Sequence, residues 1–242
     1  MGEELDWRHN LVTTVEKRVV NHSWGLDIPR GASIYTVSET KVKKKKLTIP
    51  IPNATAILIN ISENACQRAK ELRKISKIDS TSQKKVAFES SGAAFDYLEL
   101  KIQSIIMAFT AIEAFINEFI PDGYEYWHHK NSDLVLERAE KREIERRFST
   151  CQKLDVILPE ILNIESPKGK REWTSYRRLK QLRDRIIHMK SEDRVTSHEN
   201  TKTIWDDLVK SDPAHAQALE IISYFLKAAE DQPRWFKLYN KR

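Results

Sequence analysis

Arg183 and His188 stand five residues apart in Arg183-Asp184-Arg185-Ile186-Ile187-His188. Together they supply a permanent cation and a group that exchanges a proton near neutral pH. A guanidinium neutralises charge developing on a phosphate, and an imidazole serves as general acid or base. The pair therefore suits chemistry at phosphorus that needs no metal. Asp184 lies one helical turn before His188, where a carboxylate can orient the ring. An Arg–His spacing of this kind also arises by chance in a chain this rich in arginine, so its setting has to decide.

That setting is a helix expected over about residues 171–190. At about 100° per residue, Leu179, Leu182, Ile186 and Met189 form one core-facing stripe, with Arg183 at its edge. His188 lies about 140° round the helix from Arg183. Between them fall Tyr176, Ile187, Lys180, Trp173 and Asp184, an aliphatic, aromatic and cationic mixture. One reading is a cleft or subunit interface. The other is an Asp184–His188 surface pair with Arg183 bound to a carboxylate elsewhere.

The strongest periodicity runs from about Val86 to Ile120. Leu98, Ile102, Ile105, Phe109, Ile112, Ile116 and Phe119 recur at helical steps, and Phe95, Ile106, Met107, Ala111 and Phe115 make further faces apolar. Such a helix belongs in the middle of a bundle. Thr110, Glu113 and Asn117 share one face of it, so Glu113 needs a partner, and Arg183 is a candidate. Pro121-Asp122-Gly123 ends it.

Other helices are expected from about Asn53 to Ile75, after a cap at Ser132 or Asp133 with the stripe Ile144, Phe148, Cys151, Leu154 and Leu158, and after Asp212-Pro213. Lys77 to Lys85 reads as a loop. Tyr124 to His129 reads as an aromatic loop packed on neighbouring helices. Arg142, Arg146 and Arg147 interleave with glutamates on a solvated face. Up to about residue 52 the pattern is strand-like or irregular, with β segments on either side of Lys43, Lys44, Lys45 and Lys46. That run either contacts phosphates or guards a sheet edge. The fold expected is an all-α helical domain over 53–242, preceded by a small, partly β extension over 1–52.

Composition sets outer limits. The chain has 242 residues, 40% hydrophobic and 31% charged, with 6 Gly and 8 Pro, which fits one helix-leaning domain or a domain with an appendage. Two cysteines, Cys66 and Cys151, exclude a disulfide framework and point to a reducing, cytoplasmic setting. No secretory signal or membrane-spanning stretch is visible. HExxH, paired CxxC, P-loop, GxGxxG and GxSxG patterns are absent, so no metal or cofactor is expected. The net charge of +6 is compatible with a polyanionic partner.

Arg183 to His188 resembles the R-x4–6-H signature of the higher eukaryotes and prokaryotes nucleotide-binding (HEPN) superfamily, including the polar residue after the arginine. Ala108 to Glu118 resembles the long early helix of that fold, where an acidic residue interrupts an apolar surface. The resemblance covers about residues 86–230, and the N-terminal segment lies outside it. It implies an HEPN-like bundle, a homodimer, and a metal-independent endoribonuclease of single-stranded RNA, often a toxin or antiphage effector with an antitoxin or regulatory partner. Carried over, Arg183 and His188 become the catalytic pair with Asp184 as the motif's polar residue. Glu113 and Asn117 would support them, and Lys180, Arg177 and Lys43 to Lys46 would contact RNA. RNA brings its own nucleophile, the 2′-hydroxyl, so this small set suffices. A catalytically silent HEPN nucleotide- or RNA-binding module is the alternative, and a DNA-binding regulator a third reading.

Overall fold

The computed structural model describes residues 6–21, 23, 25–76, 86–129, 135–194 and 202–242. The expected loop Lys77 to Lys85 and the expected caps Ser132 and Asp133 lie outside these residues. The chain forms two compact units, one of residues 1–57 with 231–242 and one of residues 58–230.

The described residues of the first unit form three antiparallel ribbons, one of them nested in sequence between the two strands of another. Strand β1 (Leu11–Thr14) pairs with β4 (Ser33–Tyr35), β2 (Val19–Asn21) with β3 (Leu26–Ile28), and β5 (Val37–Val42) with β6 (Lys45–Pro50). The short helix α9 (Arg234–Tyr239) belongs to the same unit, with the Tyr239 ring 5.4 Å from that of Trp7. Helix α1 (Ala54–Ile75) starts here, capped by the Asn53 side chain, whose Oδ1 accepts from the Ala56 amide at 2.9 Å.

The second unit is built around α2 (Ser91–Phe119). Ser90 caps it, accepting from the Ala93 amide at 3.1 Å. Ile105, Ala108, Phe109, Ala111, Ile112, Phe115 and Ile116 are all buried, a wide arc that only a central helix can bury. Ser62 and Ser104 each donate a hydroxyl to the other's carbonyl, at 2.7 and 2.9 Å, which holds α1 close against α2. Helix α8 (Ala214–Leu226) covers another side of α2 with Ala218, Ile221, Ile222 and Phe225, and α6 (Arg171–Ile187) packs on both. Helix α7 (Ile204–Lys210) closes the bundle.

Helices dominate, but the unit is not purely helical. Strands β7 (Glu125–His129) and β8 (Leu136–Glu140) form a hairpin where an aromatic loop was expected. The alternation explains it: Tyr126 and His128 turn inward onto the Phe148 ring, at 5.5 and 4.9 Å, and Glu125, Trp127 and His129 face out. The single helix expected through Ile144 to Leu158 is also interrupted. Helix α3 (Lys141–Arg147) stops at an extended Phe148, and a new start at Ser149 leads through α4 (Thr150–Gln152) and a π turn (Lys153–Ile157) into α5 (Leu158–Leu162). The wider π turn shifts the register, so Lys153 and Leu154 are both buried, as are Ile157 and Leu158.

Candidate functional site

Arg183 sits one turn beyond Leu179, the fully buried residue that anchors α6 in the core. Its guanidinium lies over the Phe109 ring of α2, with Cζ 3.9 Å from the ring centroid. Nη1 donates to Asp184 Oδ1 at 2.9 Å, and Nη2 approaches Glu113 Oε1 at 3.5 Å. An aromatic ring and two carboxylates thus hold the cation, while about a quarter of the side chain stays open to solvent. The structure therefore joins Arg183 to Glu113, but the Glu113 side chain is 43% exposed, so burial does not force the pairing.

Glu113 Oε1 also accepts from Thr150 Oγ1 at 3.1 Å, which ties α4 to the same point. One turn further along α2, Asn117 Oδ1 accepts from Lys153 Nζ at 3.0 Å. Lys153 donates as well to the Glu145 carbonyl at 2.9 Å. Burial pushes the Lys153 ammonium below the ordinary lysine range, and the nearby Glu113 and Glu145 carboxylates work against that fall. Sequence reasoning missed Lys153. Its only trace was a lysine beside the apolar stripe, and a regular helix would have pointed it to solvent.

Asp184 and His188 do not meet. The Asp184 carboxylate is taken by Arg183 and by Lys180, one turn earlier. Helix α6 ends at Ile187, and His188 leaves helical geometry with φ −119° and ψ 57°. Its amide still closes on the Asp184 carbonyl at 3.0 Å, but the imidazole is exposed and makes no hydrogen bond or ion pair among the described residues. The helical angle between Arg183 and His188 no longer applies, because the last residue lies outside the helix.

Tyr176 also moves from its expected place. It is fully buried rather than part of an open face, its hydroxyl 3.2 Å from Cys151 Sγ and its ring stacked 6.1 Å from Phe109. Burial drives its phenol far above the usual range. Trp173 packs on Tyr176 at 5.2 Å, while Ile187 remains 54% and Met189 43% exposed. The open part of the mixed face is thus its C-terminal end, around His188. Arg177 is exposed, with Nη1 3.8 Å from Cys151 Sγ.

Arg185, the other arginine of the motif, is a structural tie. It donates to Asp207 at 2.7 Å, to Asp193 at 2.9 Å and to the Lys202 carbonyl at 2.9 Å. Burial opposes the charge on Asp193, but the amides of Ile204 and Lys190 together with Arg185 hold its carboxyl below the ordinary range. This network fixes the chain after α6 and so the direction in which His188 leaves it.

Lys43, Lys44, Lys45 and Lys46 lie in the first unit, at the β5–β6 turn, where Lys46 pairs with Glu39 at 2.6 Å. Arg147 pairs with Glu143 at 3.2 Å along α3. Among the described residues no group of three or more His, Cys, Asp or Glu is arranged to hold a metal ion. Comparisons with protein-family models, with curated proteins and with solved structures give no match.

Proposed function

We propose that this protein is an HEPN-type endoribonuclease that cleaves single-stranded RNA without a metal, as a cytoplasmic homodimer. One observation carries the reading: Arg183 is held over Phe109 by Glu113 and Asp184, while His188, just past the same helix end, presents to solvent an imidazole with no hydrogen bond or ion pair among the described residues. A guanidinium held in plane is preorganised for a phosphate and keeps further N–H donors for it. An exposed imidazole is available to take the proton of the 2′-hydroxyl or return one to the leaving 5′-oxygen. In this scheme Arg183 and His188 are the catalytic residues, Asp184 and Glu113 position Arg183, Asn117 supports the site through Lys153, and Lys180 and Arg177 meet the RNA. The resemblance extends the reading to a toxin or antiphage effector held in check by an antitoxin or regulatory protein. No helix among the described residues is long and apolar enough to cross a membrane.

A second reading has its own observation. Glu113 and Asp184 already satisfy much of the Arg183 charge, and Asp184 does not orient His188. A silent RNA- or nucleotide-binding module would need no more than that.

The two exposed apolar side chains that flank His188, Ile187 and Met189, supply the dimer contact in the nuclease reading. Two copies meeting there bring two Arg–His pairs into one cleft. Ile187→Glu is expected to convert a dimer of about twice 28.3 kDa into monomer and to abolish RNA cleavage in parallel. Sedimentation velocity and a cleavage assay on the same samples test this. A monomeric wild-type protein that cleaves RNA contradicts the shared site.

A further inference from the structure

Every residue of β5 and β6 is exposed, so this ribbon stands with both faces open. A lone two-stranded ribbon is marginally stable in water, and this one carries two features that weaken it further. Lys43 and Lys44 form its two-residue turn at φ 47° and 65°, a left-handed geometry that Asn-Gly adopts without strain and lysine does not. Lys41 and Lys46 are directly opposed across the ribbon, where like charges repel. Glu39 balances Lys46, but Lys41, Lys43, Lys44 and Lys45 have no acidic partner among the described residues. Local stability is given up to concentrate cations at one end.

The placement of those cations narrows the partner. Side chains alternate along each strand, so the Lys41–Lys46 pair faces one side, Lys45 faces the other beside Val42, and Lys43 and Lys44 extend from the tip. A flat lipid surface meets only one of these directions. A second copy would oppose lysine to lysine. A groove flanked by two rows of phosphates meets all three at once. Val42, Leu47 and Ile49 share the Lys45 face and suit the sugar surface of a wide, shallow minor groove.

We propose that the β5–β6 arm grips a double-helical segment of RNA through phosphates on both walls of its groove. This deepens the nuclease reading and rests on it for the choice of RNA: the cleaved strand would be the single-stranded part of a structured molecule, and the arm would hold its stem.

The test compares wild type with Lys43→Asn/Lys44→Gly, which removes two charges and relaxes the turn, and with Lys41→Gln/Lys45→Gln, which leaves the turn intact. Fluorescence anisotropy is read with a stem-loop RNA, an unstructured RNA of equal length, a DNA stem-loop of the same sequence and phosphatidylserine vesicles. Each variant is expected to keep or raise the melting temperature and to bind the stem-loop RNA about tenfold more weakly at low salt. Its log–log salt slope should be flatter by about two. Affinity for unstructured RNA should stay within about twofold. Unchanged stem-loop affinity, equal loss on unstructured RNA, preference for DNA, or an arm-dependent vesicle interaction overturns the arm's assignment. His188→Ala is expected to bind the stem-loop as wild type does, so a protein that grips stems but cuts nothing fails the nuclease reading and leaves the arm standing.

Discussion

His188→Ala is expected to lower the RNA cleavage rate by about two to four orders of magnitude, the range for loss of a general acid or base. The melting temperature should stay within about 1 °C of wild type, because a surface substitution away from packing and networks changes stability by less than about 0.5 kcal/mol. Both halves follow from the same observation: the imidazole is exposed and makes no hydrogen bond or ion pair among the described residues. A structural histidine would show the opposite pattern, a loss of stability with activity falling only as the folded fraction falls. Single-turnover rates and thermal melts on one preparation separate the two.

Arg183→Lys should separate attraction from catalysis. Lysine keeps the positive charge but loses the planar fork that Glu113, Asp184 and the Phe109 face hold in one orientation. Binding of single-stranded RNA should remain within a few-fold of wild type, since charge sets that affinity. The rate at saturating RNA should fall by about two to four orders of magnitude, as it does when preorganised donors to a developing oxyanion are lost. Part of the clamp is structural, so a stability loss of about 1–2 kcal/mol is expected from the weakened stacking and ion pairs. An Arg183→Lys protein with wild-type rate means that Arg183 merely draws RNA in, and the silent binding module then becomes the better account.

The central helix was legible because its apolar residues repeat at helical steps from Leu98 to Phe119, long enough for packing to dominate local preference. The same holds for α8, although its cap is Pro213 rather than Asp212. The pairing of Glu113 with Arg183 was anticipated for a reason the structure does not share: the Glu113 side chain is 43% exposed, so solvent was an alternative partner.

What was hidden depended on local breaks. A stop at Phe148 and one π turn placed Lys153 inside, and no helical wheel anticipates a register shift. The end of α6 at Ile187 released His188 from the turn that would have set it over Asp184. Lys180 and Arg183 then occupied the carboxylate instead. Tyr176 was placed on an open face because a wheel shows angles, not the depth to which neighbouring helices cover a flank. The β7–β8 hairpin was hidden because Glu125 to His129 shows no apolar–polar alternation, with Tyr126 and Trp127 adjacent; the period of two appears only in burial, where Tyr126 and His128 pack on Phe148 and Trp127 stays exposed.

The central claim is cleavage by the RNA's own 2′-hydroxyl, with Arg183 and His188 supplying the charge and the proton transfer. Its most direct measurement is the chemistry of the cut ends. Purified protein is incubated with a labelled single-stranded RNA in excess EDTA, and the upstream fragment is analysed by mass spectrometry. The account predicts cleavage undiminished by EDTA and an upstream fragment ending in a 2′,3′-cyclic phosphate. Ends with a free 3′-hydroxyl and a 5′-phosphate would mean that water attacked the phosphorus, and cleavage that requires a divalent ion would mean that a metal supplies the charge or the base; either result contradicts the account.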